Sequence, residues 1–313
     1  MSRNAISWRG NQLTFAASAP LFWTFFALIL LLMMLVWIYK EKTSAYFQNV
    51  TRIMFMPKRI FEIFSGIAII TFTLIRVLFL ELDDYAQKWE YFQLHFCRFF
   101  VFIIGVLLII NKKHYIKYFG ILSMLGGLIG ILFADLKNSA ELINADLAYE
   151  LTRSPANGKP GLEWGHDSYF WWDFIFAHNF VLIASFMLFI VSGKKAKIDQ
   201  QALFISIVGM TILTAIVFWL NIVMDYIAPV QWKSNWFYLG SQGINTLGKY
   251  SKWPYSFFVL WPAGVFASII FTFLYFAQDK IHFEFSAKGL PKKIKIVKSQ
   301  NWEYFISKKL YTK

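Results

Sequence analysis

Seven stretches of 18 or more mostly apolar residues set the main limit on what this chain can fold into. They cover roughly residues 20–39, 60–80, 92–110, 116–134, 170–191, 203–225 and 255–276. Crossing a hydrocarbon core of about 30 Å takes about 20 helical residues at about 1.5 Å each. Inside that core only helices and closed barrels satisfy every backbone polar group. The pattern therefore predicts an all-α polytopic membrane protein, a bundle of about seven transmembrane helices filling residues 1–279, with a basic tail over residues 280–313. Composition agrees, since 58% of residues are hydrophobic and 20% aromatic, above the share usual for a globular domain.

The first run follows Arg3 and Arg9, as the core of a cleaved signal would. It is longer than a signal core and ends in Val36-Trp37-Ile38-Tyr39-Lys40 without small residues for cleavage. We read it as a retained span that starts on a Ser18 N-cap with Pro20 in its first turn. Lysines and arginines number twenty on the face that holds the C-terminal tail and the loops after the first, third and fifth runs, against nine on the other. That excess assigns the C-terminus to the cytoplasm and the N-terminus to the outside of a plasma-membrane, multi-pass protein.

The same topology accounts for most of the formal charge of +13. Lys292-Lys293-Ile294-Lys295, just past the last run, suits anionic inner-leaflet lipids; no nucleic-acid-binding fingerprint accompanies it. A single cysteine excludes an internal disulfide, and no spacing suggests a metal or a cofactor. Oligomeric state is not readable.

Ionisable groups inside a span are costly and mark functional sites by default. Here nearly all fall in the outer half of the bilayer. His95, Cys97 and Arg98 open the third run. Asp173 and His178 open the fifth, with His178 about 12 Å below Phe170. Arg76, Asp135, Asn221 and Asp225 lie near outward ends, whereas the inner half holds little beyond Glu62. In the fourth run Gly126 and Gly130 form a Gly-x-x-x-Gly pair, which lets a neighbouring helix approach closely.

Two classes of function use such a pocket. A thiol activated by an imidazole attacks an ester, with a cation steadying phosphate or oxyanion. Alternatively the pocket binds a lipid or solute in a permease without covalent chemistry, although the chain shows no inverted repeat or paired broken spans.

Four stretches in order resemble the YwaF-type bacterial integral membrane family, whose relatives include a vertebrate transmembrane acyltransferase of ether phospholipids. Leu94-His95-Phe96-Cys97 is similar to the family's Leu-His-Leu-Cys opening of its third span. Tyr118-Phe119-Gly120 through Ala134-Asp135-Leu136 resembles a glycine-rich span ending in Thr-Pro-Asp-Leu, with Phe133-Ala134 in place of Thr-Pro. Asp173-Phe174-Ile175-Phe176-Ala177-His178 resembles a Phe-Phe-x-x-His segment. Asn235-Trp236-Phe237-Tyr238-Leu239, then Gly248 and Trp253-Pro254-Tyr255, is similar to an Asn-Tyr-x-x-Leu stretch leading to Gly-Pro-x-Trp-Pro.

The resemblance implies a multi-span bundle that moves acyl groups between membrane lipids through a Cys/His pair. His178 then acts as base, with His95 and Cys97 marking the nucleophile region. The vertebrate relative places its cysteine directly before the histidine, where this chain has Leu94. On a continuous helix Cys97 also faces about 200° away from His95. We thus expect a lipid acyltransferase or transacylase of the outer bilayer half, or a lipid hydrolase using the same groups. Its expected catalytic residues are His178, His95 and Cys97; Arg98, Asp135, Asp173, Asn221 and Asp225 are expected to bind substrate.

Overall fold

The computed structural model describes residues 5–6, 13–85, 87–134, 136, 164–241, 249–250, 253–287 and 289–308. Its long elements are helices, as the runs require. The first, α1, spans Phe15–Ile38 and begins on Thr14, whose hydroxyl accepts the Ala17 N–H at 3.2 Å. That start lies earlier than expected and leaves Pro20 inside the helix. Ser18, expected as the cap, instead accepts the His166 N–H at 2.8 Å and ties α1 to the segment before the fifth run.

After the short α2 (Lys40–Asn49) and the two-residue strands β1 (Arg52–Ile53) and β2 (Met56–Pro57) comes α3, Lys58–Leu82. A 3-10 turn at Lys88–Tyr91 leads into α4, Phe96–Ile109. Three further long helices are α6 (Tyr169–Ser192), α7 (Gln200–Ile227) and α8 (Tyr255–Gln278). Counting the 3-10 turn with α4, six helices among the described residues are long and apolar enough to cross a membrane.

The run at 116–134 is the exception. A 3-10 segment at Lys113–Tyr118 and a non-helical Phe119 leave only α5, Gly120–Leu132, with 13 residues, about 20 Å of helix. That is too short to span alone. Interior position compensates: a Cβ on Gly127 would stand 2.7 Å from the His178 carbonyl oxygen, so α5 and α6 meet backbone to backbone. Non-helical chain is tolerable at its first end, where Ile116 is fully buried in protein; Leu132 and Phe133 at its far end are exposed.

Cross-helix bonds define two ends. At one, Arg59 Nη1 donates to the Leu108 carbonyl at 2.6 Å, Trp37 Nε1 to Gln278 Oε1 at 2.8 Å, and Lys117 Nζ to Asp199 Oδ2 at 3.2 Å. Residues expected only as a basic tail add a ribbon here, β3 (Ile281–Phe285) with β4 (Pro291–Ile296), and a helix α9 (Gln300–Ser307). The opposite end gathers the starts of α1, α4 and α6 with the end of α3. Asp135, Gly248 and the turn-rich 154–161 lie outside the described residues.

Candidate functional site

Asp173, in the second turn of α6, is 1% exposed. A carboxylate so buried needs partners, and it has two. Arg98 of α4 grips it bidentately, Nη1 donating to Oδ1 at 3.0 Å and Nη2 to Oδ2. Arg76 of α3 places Nε 3.2 Å from the same Oδ2. Arg76 then turns to Glu90, donating from Nη1 to its backbone carbonyl at 3.2 Å and from Nη2 to Oε2. Tyr85 closes the network by donating its hydroxyl to Glu90 Oε1 at 2.7 Å. Burial, and then the Glu90 carboxylate, hold the Tyr85 phenol well above its ordinary pKa, so it stays a donor.

Two cations and two anions thus cancel inside the bundle. The network joins α3, α4, α6 and the 88–91 turn at a single point. Asp173 is its hub, and Arg98 is buried with it.

His178 follows Asp173 by five residues on α6. Its Nδ1 lies 2.7 Å from the Phe174 carbonyl; a carbonyl only accepts, so Nδ1 carries the hydrogen and the neutral ring keeps a lone pair on Nε2. That Nε2 faces bare helix: a Cβ on Gly130 would stand 2.5 Å from it. One turn earlier, a Cβ on Gly126 would meet the Phe96 ring at 2.4 Å and stand 3.5 Å from Cys97 Sγ. Positions four apart on a helix have Cβ atoms about 6 Å apart. Thiol and imidazole therefore front one glycine ledge, no more than roughly 12 Å from each other.

Cys97 itself is buried in one apolar cluster with Val101, Leu122, Val181 and Ala177, the residue just before His178. Among the described residues no hydrogen bond links His178 to Cys97 or His95. The ledge also explains the Gly-x-x-x-Gly pair, which makes room for side chains of α4 and α6.

His95 lies elsewhere. It is the N-cap of α4, in extended backbone, and not a helical residue as expected. Its ring centre is 5.3 Å from that of Trp89 and 5.4 Å from that of Tyr238. Glu90, Arg76 and Arg98 all act on it electrostatically. His95 therefore joins the ion network, and its charge also acts on His178, whereas Cys97 packs by the ledge.

The remaining expected residues divide. Asn221 is a latch: Oδ1 accepts from Ser234 Oγ at 2.7 Å and the Trp236 N–H at 3.0 Å, while Nδ2 donates to the Trp236 carbonyl at 2.8 Å. It secures a segment in which Phe237 and Tyr238 adopt φ of 57° and 58°, a left-handed backbone costly for side chains of this kind. The reward is Tyr238 against His95. Asp225 stands apart, bonded to Ser241 Oγ at 2.9 Å. Asp135 lies outside the described residues.

Sequence reasoning did not single out Glu90, Tyr85 or Tyr238. Glu90 falls in a short polar loop between two runs, and only folding brings it beneath Arg76. The buried Tyr169 hydroxyl and Asn179 Oδ1 were also missed; neither has a hydrogen-bond partner among the described residues. No group of three His, Cys, Asp or Glu among those residues could hold a metal ion.

A model of the TMEM164 family matches residues 13–275, from the start of α1 almost to the end of α8. No curated protein and no solved structure matches the chain.

Proposed function

The chain belongs to the TMEM164 family over residues 13–275, and from that premise we propose that it is a lipid acyltransferase of the YwaF type working inside the bilayer. One observation carries the reading. His178 is held as the tautomer with a free Nε2, on the same glycine ledge as the chain's only thiol.

In the proposed cycle His178 Nε2 takes the Cys97 proton, directly or through one water, as sulfur attacks the ester carbonyl of a donor lipid. The carbon–oxygen bond to the donor alcohol breaks, and that oxygen leaves with the proton from His178. A lipid hydroxyl then attacks the thioester, again losing its proton to His178, and the thiol is regenerated. Water in place of that hydroxyl gives hydrolysis.

Arg98 and Asp173 enter as positioning residues. Arg98 adjoins Cys97 and Asp173 precedes His178 by little more than one turn, so their pairing aligns the helices that carry thiol and base. His95, between Trp89, Tyr238 and Glu90, orients the substrate from the network side. The Tyr169 hydroxyl and Asn179 Oδ1, without hydrogen-bond partners among the described residues, offer polar contacts to a headgroup or ester.

The test is acyl transfer by purified protein in proteoliposomes, from a labelled diacyl phospholipid to a lysophospholipid. Cys97→Ala and His178→Ala should each lower the rate by about 100-fold or more, and Cys97→Ala should abolish a hydroxylamine-sensitive acyl label. Wild-type rates in both variants would overturn the reading. Flux of a labelled solute without acyl labelling would favour the permease.

A further inference from the structure

Past the last residue of the family match, β3 and β4 make a ribbon with two unlike faces. The register pairs Ile281 with Ile296, Phe283 with Ile294 and Phe285 with Pro291, and between these it pairs His282 with Lys295 and Glu284 with Lys293. Directly paired residues share a face, and faces alternate along a strand. Over Ile281–Glu284 and Lys293–Ile296 one face is therefore apolar and the other charged; between Glu284 and Phe285 the register shifts and leaves Lys292 without a cross-strand partner.

Only half of the apolar face is covered by protein. On β3, the Phe283 ring meets Trp37 edge-on at 5.3 Å, and Phe285 stacks on Tyr39 at 5.0 Å. On β4, Ile294 is 60% and Ile296 78% exposed, and Leu290 in the turn is 61% exposed. A single exposed apolar residue needs no explanation; three together beside a helix end do.

Position supplies what covers them. Trp37 lies in the last turn of α1, and its indole is bonded to Gln278, the last residue of α8. The covered half of the face thus leans on the ends of two candidate spans, and the bare half lies on the same face of the ribbon. The turn between β1 and β2, at this same end, exposes Met54 and Phe55 next to exposed Arg52. Charge matches as well, because Lys292, Lys293 and Lys295 are all exposed along the same strand.

We propose that the ribbon is an anionic-lipid-binding element embedded in the membrane interface. Leu290, Ile294 and Ile296 enter the upper acyl region, while the three lysines reach headgroup phosphates with their long stems. Nothing in this inference depends on acyl transfer.

The full chain is placed in nanodiscs of phosphatidylcholine alone or of phosphatidylcholine mixed with phosphatidylglycerol. In a Cys97→Ala background, Ile294→Cys carries a bimane label. With phosphatidylglycerol present, bimane emission should shift to the blue and be quenched by a lipid with a shallow nitroxide. Trypsin cleavage at Lys292–Lys295 should slow in parallel.

Replacing Lys292, Lys293 and Lys295 by Gln should weaken phosphatidylglycerol retention about fivefold per lysine. Ile294→Asp with Ile296→Asp, read by retention of added phosphatidylglycerol on unlabelled protein, provides a second variant at exposed positions. A water-like, unquenched label in the mixed discs would overturn the proposal. Equal behaviour in both lipid compositions would do so too. Protection that follows the number of protein copies per disc would assign the face to a second chain instead.

Discussion

Arg98 and Lys293 carry the same charge at opposite ends of one bundle. Arg98 is buried and spends both terminal nitrogens on Asp173, whereas Lys293 stands in the open, paired across the ribbon with Glu284. At the first end the protein must supply every counter-charge itself, because neither water nor headgroups reach Asp173. At the second, solvent is free to supply them, and salt screens such interactions over about 10 Å. Charge in this chain thus meets two settings: buried, where it ties helices together, and exposed, where the proposed lipid contact would use it.

The sharpest way to break that contrast is to remove the hub. Asp173→Ala leaves two guanidinium groups facing each other in the interior, at a cost of about 3–5 kcal/mol. Thermal unfolding of detergent-solubilised protein, followed by size-exclusion fluorescence, should show a larger loss for this change than for any of the substitutions below. Neutralising both partners, Asp173→Asn with Arg98→Gln, should cost less than Asp173→Ala alone. If the single change proves as mild as Lys293→Ala, the network does not hold the helices.

The ledge gives a smaller effect with a more local readout. In Gly130→Ala the new methyl would meet the His178 ring, so the ring or α5 must move, costing about 1–3 kcal/mol. Acyl transfer should fall further than the loss of stability explains. Gly209→Ala is the control, since a Cβ there meets nothing within 4 Å.

Asn221→Ala comes next. It strips partners from Ser234 and from both backbone groups of Trp236, about 1–3 kcal/mol if they stay buried. Hydrogen exchange across 234–239 should quicken while exchange in α4 stays slow. Lys293→Ala closes the series with a change within about 0.5 kcal/mol; its effect should appear in lipid retention and vanish at high salt.

The long helices were legible because each needs only its own hydrophobic length to be recognised. Their ends were less so. Ser18 and Thr14 are both good caps, and choosing between them depended on His166, distant in sequence. The 116–134 run is apolar throughout, and nothing local says that it breaks at Phe119; the close approach of α6 decides that.

The candidate site was half legible. His95, Cys97, Arg98, Asp173 and His178 could be grouped by depth alone, since a charge inside a span stands out against apolar neighbours. Glu90 could not, because a carboxylate in a loop looks solvated until folding buries it. Nor could Asn221 be known as a latch, as its partners lie in an irregular segment.

What the sequence determined by itself is the membrane bundle, the layer in which its polar residues gather, and the basic end. These follow from hydrophobicity summed over consecutive residues, which the chain carries at any conformation. Tertiary structure alone decided that Arg98 answers Asp173, that His178 and Cys97 share a glycine ledge while His95 packs against Trp89 and Tyr238, and that the tail is a two-faced ribbon. Those outcomes rest on hydrogen bonds and close packing between distant segments, interactions that act over a few ångströms and exist only once the helices have met.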